Sequence, residues 1–241
     1  TYQGWTALTR QGPRDGTLEA LRGASDLEAF PQALPPGLPT RPVRAVYRSR
    51  SHANLTVVDK ANGGKADSLN AGINVSRHSL FCGVDADSVL ARDSLHRVAR
   101  PFLRDPRVVA SGGTVRVANG CEIQGGFVTR VGLPTNIWAI FQVVEYLRAF
   151  LFGRLGWSQI NAMLIISGAF GLFRTDIVVA AGGYRAKTIG EDMELVVRLH
   201  RMLREQGVDY RIEFVPDPVC WTEAPEDRAT LRTQRIRWQR G

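Results

Sequence analysis

The feature that most limits the fold is an alternation of short apolar runs with helical stretches between residues 55 and 117. Leu55-Thr-Val-Val-Asp59 reads as a buried strand, closed by the turn Asn62-Gly63-Gly64. Helix is expected from 66 to 76, where Leu69 and Ile73 stand four apart on one face. Leu80-Phe-Cys-Gly-Val84 reads as a second buried strand and ends in Asp85-Ala86-Asp87. A helix from an Asp93 N-cap to residue 103 and a strand over 108–117 follow. Apolar strands joined by helices predict an α/β chain whose mixed, mostly parallel sheet is flanked by helices.

The second half is less regular. Residues 136–157 read as an aromatic-rich helical stretch carrying Trp138, Phe141, Tyr146, Phe150, Phe152 and Trp157. Residues 165–171 read as a strand broken by glycine, which suggests close approach of a ligand or another segment. An amphipathic helix is expected over 191–204, with Leu195, Leu199 and Leu203 four apart. A strand over 210–215 and a basic helix over 229–240 complete the chain, and a short helix at 17–22 precedes a proline-rich connection over 31–42.

Composition excludes other classes. With 241 residues, 44% hydrophobic and 22% charged, the chain can bury a sizeable core and is no disordered tail. The net charge of +8 first suggests an anionic partner, but only Lys60, Lys65 and Lys187 are lysines, and five arginines crowd into residues 228–240 with no acid among them. One aromatic, Trp238, interleaves with those arginines, too few for a nucleic-acid stacking surface, so no nucleic-acid partner is expected. Cys82, Cys121 and Cys220 are widely spaced without a CxxC pair, which indicates neither a disulfide framework nor a zinc site and points to a reducing, cytoplasm-facing compartment. No apolar run reaches the roughly 20 residues a spanning helix needs.

Four groups could carry chemistry. Asp85 and Asp87 leave a strand at i, i+2, and hard oxygen donors so placed suit a divalent cation shared with substrate phosphates; a solvated acidic turn is the alternative. Asn62-Gly-Gly-Lys65 before a helix can admit an anion to the backbone, with Lys65 as a point charge, or be an ordinary glycine turn. Glu191 and Asp192 open a helix, where acids complement the dipole or supply a general base. Gln234, Arg237 and Trp238 share one helical face, fit for a diphosphate beside a sugar ring, or for a basic surface helix anchored by its tryptophan.

In order, the lysine–glycine loop, Asp-x-Asp, Glu-Asp and Gln-x-x-Arg-Trp resemble the catalytic domain of the membrane-bound, processive family 2 glycosyltransferases, such as the cellulose, chitin, hyaluronan and poly-N-acetylglucosamine synthases. The resemblance runs from about residue 15 to 241 and is densest at 62–70, 81–88, 167–174, 182–194 and 234–241. It implies one catalytic domain over 1–241 with a GT-A fold: 1–14 irregular, 15–135 a nucleotide-sugar-binding half, 136–241 an acceptor-side half. It also implies an inverting mechanism and a UDP-sugar donor. Asp85 and Asp87 would hold the donor and Mg²⁺ or Mn²⁺, Asp87 being the closer ligand, and Lys65 would lie near the nucleotide. Asp192 would be the base, while Gln234, Arg237 and Trp238 would close over diphosphate and acceptor. Ser167, Gly168 and Glu191 would belong to the acceptor side.

The acceptor implied is a growing β-linked polysaccharide, with a single-addition glycolipid enzyme or a degenerate nucleotide-binding relative as alternatives. The resemblance places the protein at the cytoplasmic face of the cell membrane, held by spanning segments outside this sequence, with Arg232, Arg235 and Arg240 facing the headgroups. One departure stands out. Asp15-Gly16-Thr17 fits the tail of the family's nucleotide-binding motif, but Gln11-Gly12-Pro13 stands where Asp-Gly-Ser is expected, and the opening strand is missing.

Overall fold

The computed structural model describes residues 27–29, 37–50 and 55–240. The expected helix at 17–22, the segment 1–14 with Gln11, the Asp15-Gly16-Thr17 tail and most of the proline-rich connection lie outside the described residues. The chain forms two compact units, one of residues 1–79 with 178–187, the other of 80–177 with 188–241.

In the first unit β1 (Leu27–Ala29), β2 (Val43–Ser49) and β3 (Thr56–Lys60) form an antiparallel sheet in that order. Helix α1 (Gly64–Val75) follows β3 through the expected glycine turn, with Gly64 at a φ of +83°. Val58 of β3 packs against Ala71 and Val75 of α1, with Val43 at the margin. The buried Lys60 ammonium pairs with the buried Asp67 carboxylate, whose Oδ1 also accepts the Arg41 N–H at 2.7 Å. Asn70 ties residues 178–187 to α1, accepting from Tyr184 N and donating to Tyr184 O, both at 2.8 Å.

The second unit holds β4 (Leu80–Val84), β5 (Val89–Leu90), α2 (Ser94–Arg104), β6 (Val108–Val117) and the hairpin β7 (Glu122–Gln124) with β8 (Phe127–Arg130). Then come α3 (Ile137–Leu147), a π-helix (Arg148–Arg154), α4 (Leu155–Gln159), β9 (Phe170–Arg174) and the start of α5 (Thr175–Ala180), whose residues from Val178 on belong to the first unit. Last are α6 (Glu191–Glu205), β10 (Arg211–Thr222) and α7 (Arg228–Arg240). The sheet order is β4-β9-β6-β10-β5. Strands β4, β6 and β10 run in one direction, while β9, threaded between β4 and β6, and β5, beside β10, run in the opposite sense; the sheet is thus mixed, as expected, but among its described pairings β6–β10 alone is parallel, so it is not mostly parallel. The helical periodicity of α6 is confirmed, because Leu195, Leu199 and Leu203 are all buried.

Two expectations are corrected here. The strand read over 165–171 begins only at Phe170; residues 167–169 form a turn, closed by the Phe170 N–H on Ser167 O at 3.1 Å. The close approach that its glycines signalled is made by Ile166, whose side chain lies where a Cβ on Gly112 or Gly171 would be. The strand read over 210–215 continues to Thr222. Pro216 and Pro218 cannot donate to the ladder, and the β6–β10 register shifts around Pro218 instead of ending.

Candidate active site

Antiparallel pairing of β4 with β9 sets Val84 opposite Phe170, so the end of one strand meets the start of the other. The consequence is a junction at Ala169. Its carbonyl accepts the Asp85 N–H at 3.2 Å and the Ser88 hydroxyl at 3.3 Å. Ser88 N–H closes the acidic turn on Asp85 O at 3.1 Å. One residue earlier, Gly168 donates its N–H to Asp192 Oδ2 at 3.0 Å. The segment 167–169 therefore joins the Asp85-Ala-Asp87 turn to the first turn of α6.

Asp192 is half-buried and accepts an N–H on each oxygen, since Oδ1 takes that of Met193 at 2.9 Å. Glu191, Asp192 and Glu194 occupy the helix start, where backbone N–H groups favour negative charge, and Glu194 is committed to Arg198. Asp85 is half-buried and Asp87 exposed. Cys220, buried on β10, senses both carboxylates. Burial chiefly pushes its thiol up to about 11; the Ser88 hydrogen bond opposes that, and the fields of Asp85 and Asp87 add to it.

The two acids fit a hard divalent cation as a partial donor set. Among the described residues no group of three or more His, Cys, Asp or Glu side chains could hold a metal by itself. A six-coordinate ion bound here would take most of its ligands from substrate phosphate and water, the usual arrangement for Mg²⁺.

Helix α7 carries the third cluster. Arg235 grips Glu145 of α3 with both nitrogens, at 2.8 and 2.5 Å, and lies over the Trp238 ring at 4.4 Å. That corrects the expectation that Arg235 faces a membrane surface. Trp238 is 46% exposed, so it is no core anchor. Arg237 is exposed, and Gln234 Oε1 is buried without a hydrogen-bond partner among the described residues. Lys65 belongs to the first unit, half-buried in the first turn of α1, where Asn62 Oδ1 accepts the Gly64 N–H at 3.0 Å.

Sequence reasoning missed three participants. Ser88 and the Ala169 carbonyl gain their roles only from strand pairing. Glu145 carried a signal that went unread: it is a charge within the aromatic stretch 136–157, where it needs a partner.

The family described as "Glycosyltransferase like family 2" matches residues 40–241, and the chain belongs to that family. It is 32% identical over 199 residues to a poly-beta-1,6-N-acetyl-D-glucosamine synthase of Staphylococcus aureus and 29% identical to that of Staphylococcus epidermidis. Each match covers 81% of this chain and 43% of the relative, so the chain spans less than half the length of these curated relatives. Among solved structures it resembles a mannosyltransferase from Pyrobaculum calidifontis in complex with GDP-Man and Mn²⁺, at a TM-score of 0.53 and 23% identity, over 78% of this chain and 45% of that one. The fold is thus GT-A, and the domain is that of a glycosyltransferase.

Proposed function

We propose that this domain transfers a sugar from a UDP-sugar, with N-acetylglucosamine as the first candidate, to a growing β-linked polysaccharide with inversion at the anomeric carbon. The observation that carries the reading is the 167–169 segment, which binds the Asp85 turn through Ala169 and Asp192 through Gly168. A donor-side acid pair and a candidate base are thereby held by adjacent peptides. The names of the staphylococcal relatives support the sugar.

In this reading the acceptor hydroxyl gives its proton to Asp192 as its oxygen attacks the anomeric carbon. The bond to the diphosphate breaks, and UDP leaves with the electron pair. Asp85 and Asp87 would hold Mg²⁺ or Mn²⁺, which when bound supplies positive charge to the departing diphosphate. Arg237 adds positive charge on the donor from the helix that also carries Gln234, and Trp238 gives an exposed aromatic face to the acceptor sugar. Ser167, Gly168 and Glu191 line the acceptor side.

Association with the cytoplasmic face of the cell membrane belongs to the same proposal. Among the described residues no helix is long and apolar enough to cross a membrane. Ile137, Phe141 and Val144 nevertheless expose an apolar stripe on α3, and Phe152 beyond it is 86% exposed. The Arg235–Glu145 pair sets this stripe beside the arginine-rich α7, and an apolar face next to arginines suits an anionic interface.

The test is Asp192→Asn in the full-length protein in membranes. It should lower transfer from UDP-N-acetylglucosamine by at least about 10²-fold, while UDP affinity stays within about twofold. Full transfer by this variant would remove Asp192 as base. A parallel run with UDP-glucose tests the sugar, and product length on gels separates polymerisation from single addition to a lipid.

A further inference from the structure

Helix α7 buries none of its residues, so its direction depends on how its root is held. That root is residues 224–226, an irregular stretch between the end of β10 at Thr222 and Asp227, whose Oδ1 caps α7 by accepting the Thr230 N–H at 2.8 Å. Carbonyls in such a stretch have no ladder partner, and each needs a donor from elsewhere. Here side-chain amides supply all three. Asn119 donates to Ala224 O at 3.0 Å and accepts the Ala224 N–H at 2.7 Å, pairing with that residue as a neighbouring strand would. Gln142 donates to Pro225 O at 2.8 Å, and Asn136 donates to Glu226 O at 3.0 Å. Asn119 also reaches the Glu226 carboxylate at 2.9 Å.

Two of these amides come from α3. Asn136 uses its Oδ1 to cap that helix, accepting from Trp138 and Ala139, which leaves its nitrogen for the root of α7. Gln142 is only 2% exposed, and a buried amide is unfavourable unless bonded. Its nitrogen is shared between Trp138 O, 3.0 Å away in its own helix, and Pro225 O. Three residues further on, Glu145 takes Arg235 of α7. One helix therefore grips the root at two carbonyls and the body of α7 at a third point. Water could satisfy an exposed carbonyl such as Glu226 O. Bonds from three separate side chains do more, because they remove the root's freedom to turn.

We infer that Asn119, Asn136 and Gln142 are positioning residues for the donor site: they fix the direction in which α7 presents Arg237 to the donor diphosphate. The inference rests on the reading of Arg237 as a donor-binding residue, and all three amides act through α7. A root free to turn would leave α7 aimed at the donor for only part of the time, which raises the donor KM by the inverse of that fraction. Saturating donor draws the helix back, so turnover at saturation is kept.

The test uses the full-length protein in membranes with UDP-N-acetylglucosamine as donor. Asn136→Asp isolates the contact, because a carboxylate still caps α3 but sets an acceptor against Glu226 O. It should raise the donor KM about fivefold, the scale of one lost hydrogen bond, with kcat within about twofold. Combined with Arg237→Ala it should add less than about twofold to the donor KM, since the group it positions is gone, whereas general damage to the fold would add in full. Hydrogen exchange should quicken across 228–240 and not across 137–147. Asn119→Asp keeps the acceptor for the Ala224 N–H and loses the donor to Ala224 O. It repeats the measurement from outside α3 and decides the matter if Asn136→Asp does not accumulate. A donor KM unchanged in these variants, one raised by the same factor with and without Arg237, or exchange in α7 as slow as in the parent overturns the inference. Failure of the underlying reading looks different: Arg237→Ala alone would then leave donor KM and turnover as they were, whatever the root variants do to exchange.

Discussion

Gly168 donates its backbone N–H to Asp192 Oδ2 at 3.0 Å, although 24 residues separate them. That bond aims the carboxylate from outside its own helix, while Met193 N–H holds the other oxygen from within it. Asp192→Glu keeps the charge but moves the carboxylate out by one methylene, so it cannot keep both bonds and the same reach. Transfer by this variant should fall about 10²-fold, the scale of an ångström's misplacement at a reacting centre. Steady-state kinetics with saturating donor would check this, and near-native turnover would show that the Gly168 bond does not set the reacting geometry.

The Arg235–Glu145 pair makes a second, independent claim. It is the two-pronged link between α3 and α7, and Arg235 also carries Trp238 on its face. Glu145→Ala and Arg235→Ala should each loosen α7 and expose it to limited proteolysis. Both groups are partly solvated, so a double-mutant cycle on thermal unfolding should return a coupling of about 1 kcal/mol or less. The effect on donor KM should exceed what that small coupling suggests, because Gln234 and Arg237 ride on the same helix.

Much of this domain was legible from periodicity alone, and the exceptions have physical causes. Helices α1, α2 and α6 and strands β4 and β6 follow from local pattern, since each buries one side of a regular element. Strand β2 was missed because Arg44 and Arg48 break its apolar look, though Arg44 is there to pair with Asp59. The β7–β8 hairpin hid in an exposed, polar stretch; its signal was Gly125-Gly126, both at positive φ, as a tight reversal requires. The site divides in the same way. Asp85, Asp87 and Asp192 stand at element ends that the sequence marks. Ala169 and Ser88 depend on which strand pairs with which, which a local pattern does not encode.

His200 should make stability pH-dependent in a defined window. Its Nε2 lies 2.8 Å from Met163 O and so carries the proton, which leaves Nδ1 to accept from Tyr210 OH at 2.6 Å. That arrangement needs the neutral ring, and burial pushes its pKa below the ordinary value of 6.5. Above about 6.5 the ring is neutral in both folded and unfolded chains, and its contribution is complete. As pH falls from there towards the lower folded pKa, the unfolded chain takes up the proton first and stability is lost. Asp105, held at about 2 chiefly by Arg107, loses its contribution only as pH falls from the ordinary carboxylate value of 3.8 towards 2. Thermal unfolding should therefore show a falling midpoint between pH 7 and 5, and His200→Gln, lower at pH 7, should show a flatter one.

The buried Lys60–Asp67 pair offers the sharpest stability test. Both side chains are almost fully enclosed, and Asp67 also accepts the Arg41 N–H while Lys60 donates to Ala61 O at 2.7 Å. Asp67→Ala removes one charge and leaves the other inside the first unit with too few partners. The expected loss is about 3 kcal/mol, the usual scale for breaking a buried pair. Replacing both, as in Lys60→Met with Asp67→Leu, should recover much of that loss, because no charge then remains to be buried. Denaturant unfolding of the single and double variants would decide it. A double variant no more stable than Asp67→Ala would mean that the Arg41 contact, and not the unpaired ammonium, carries the cost.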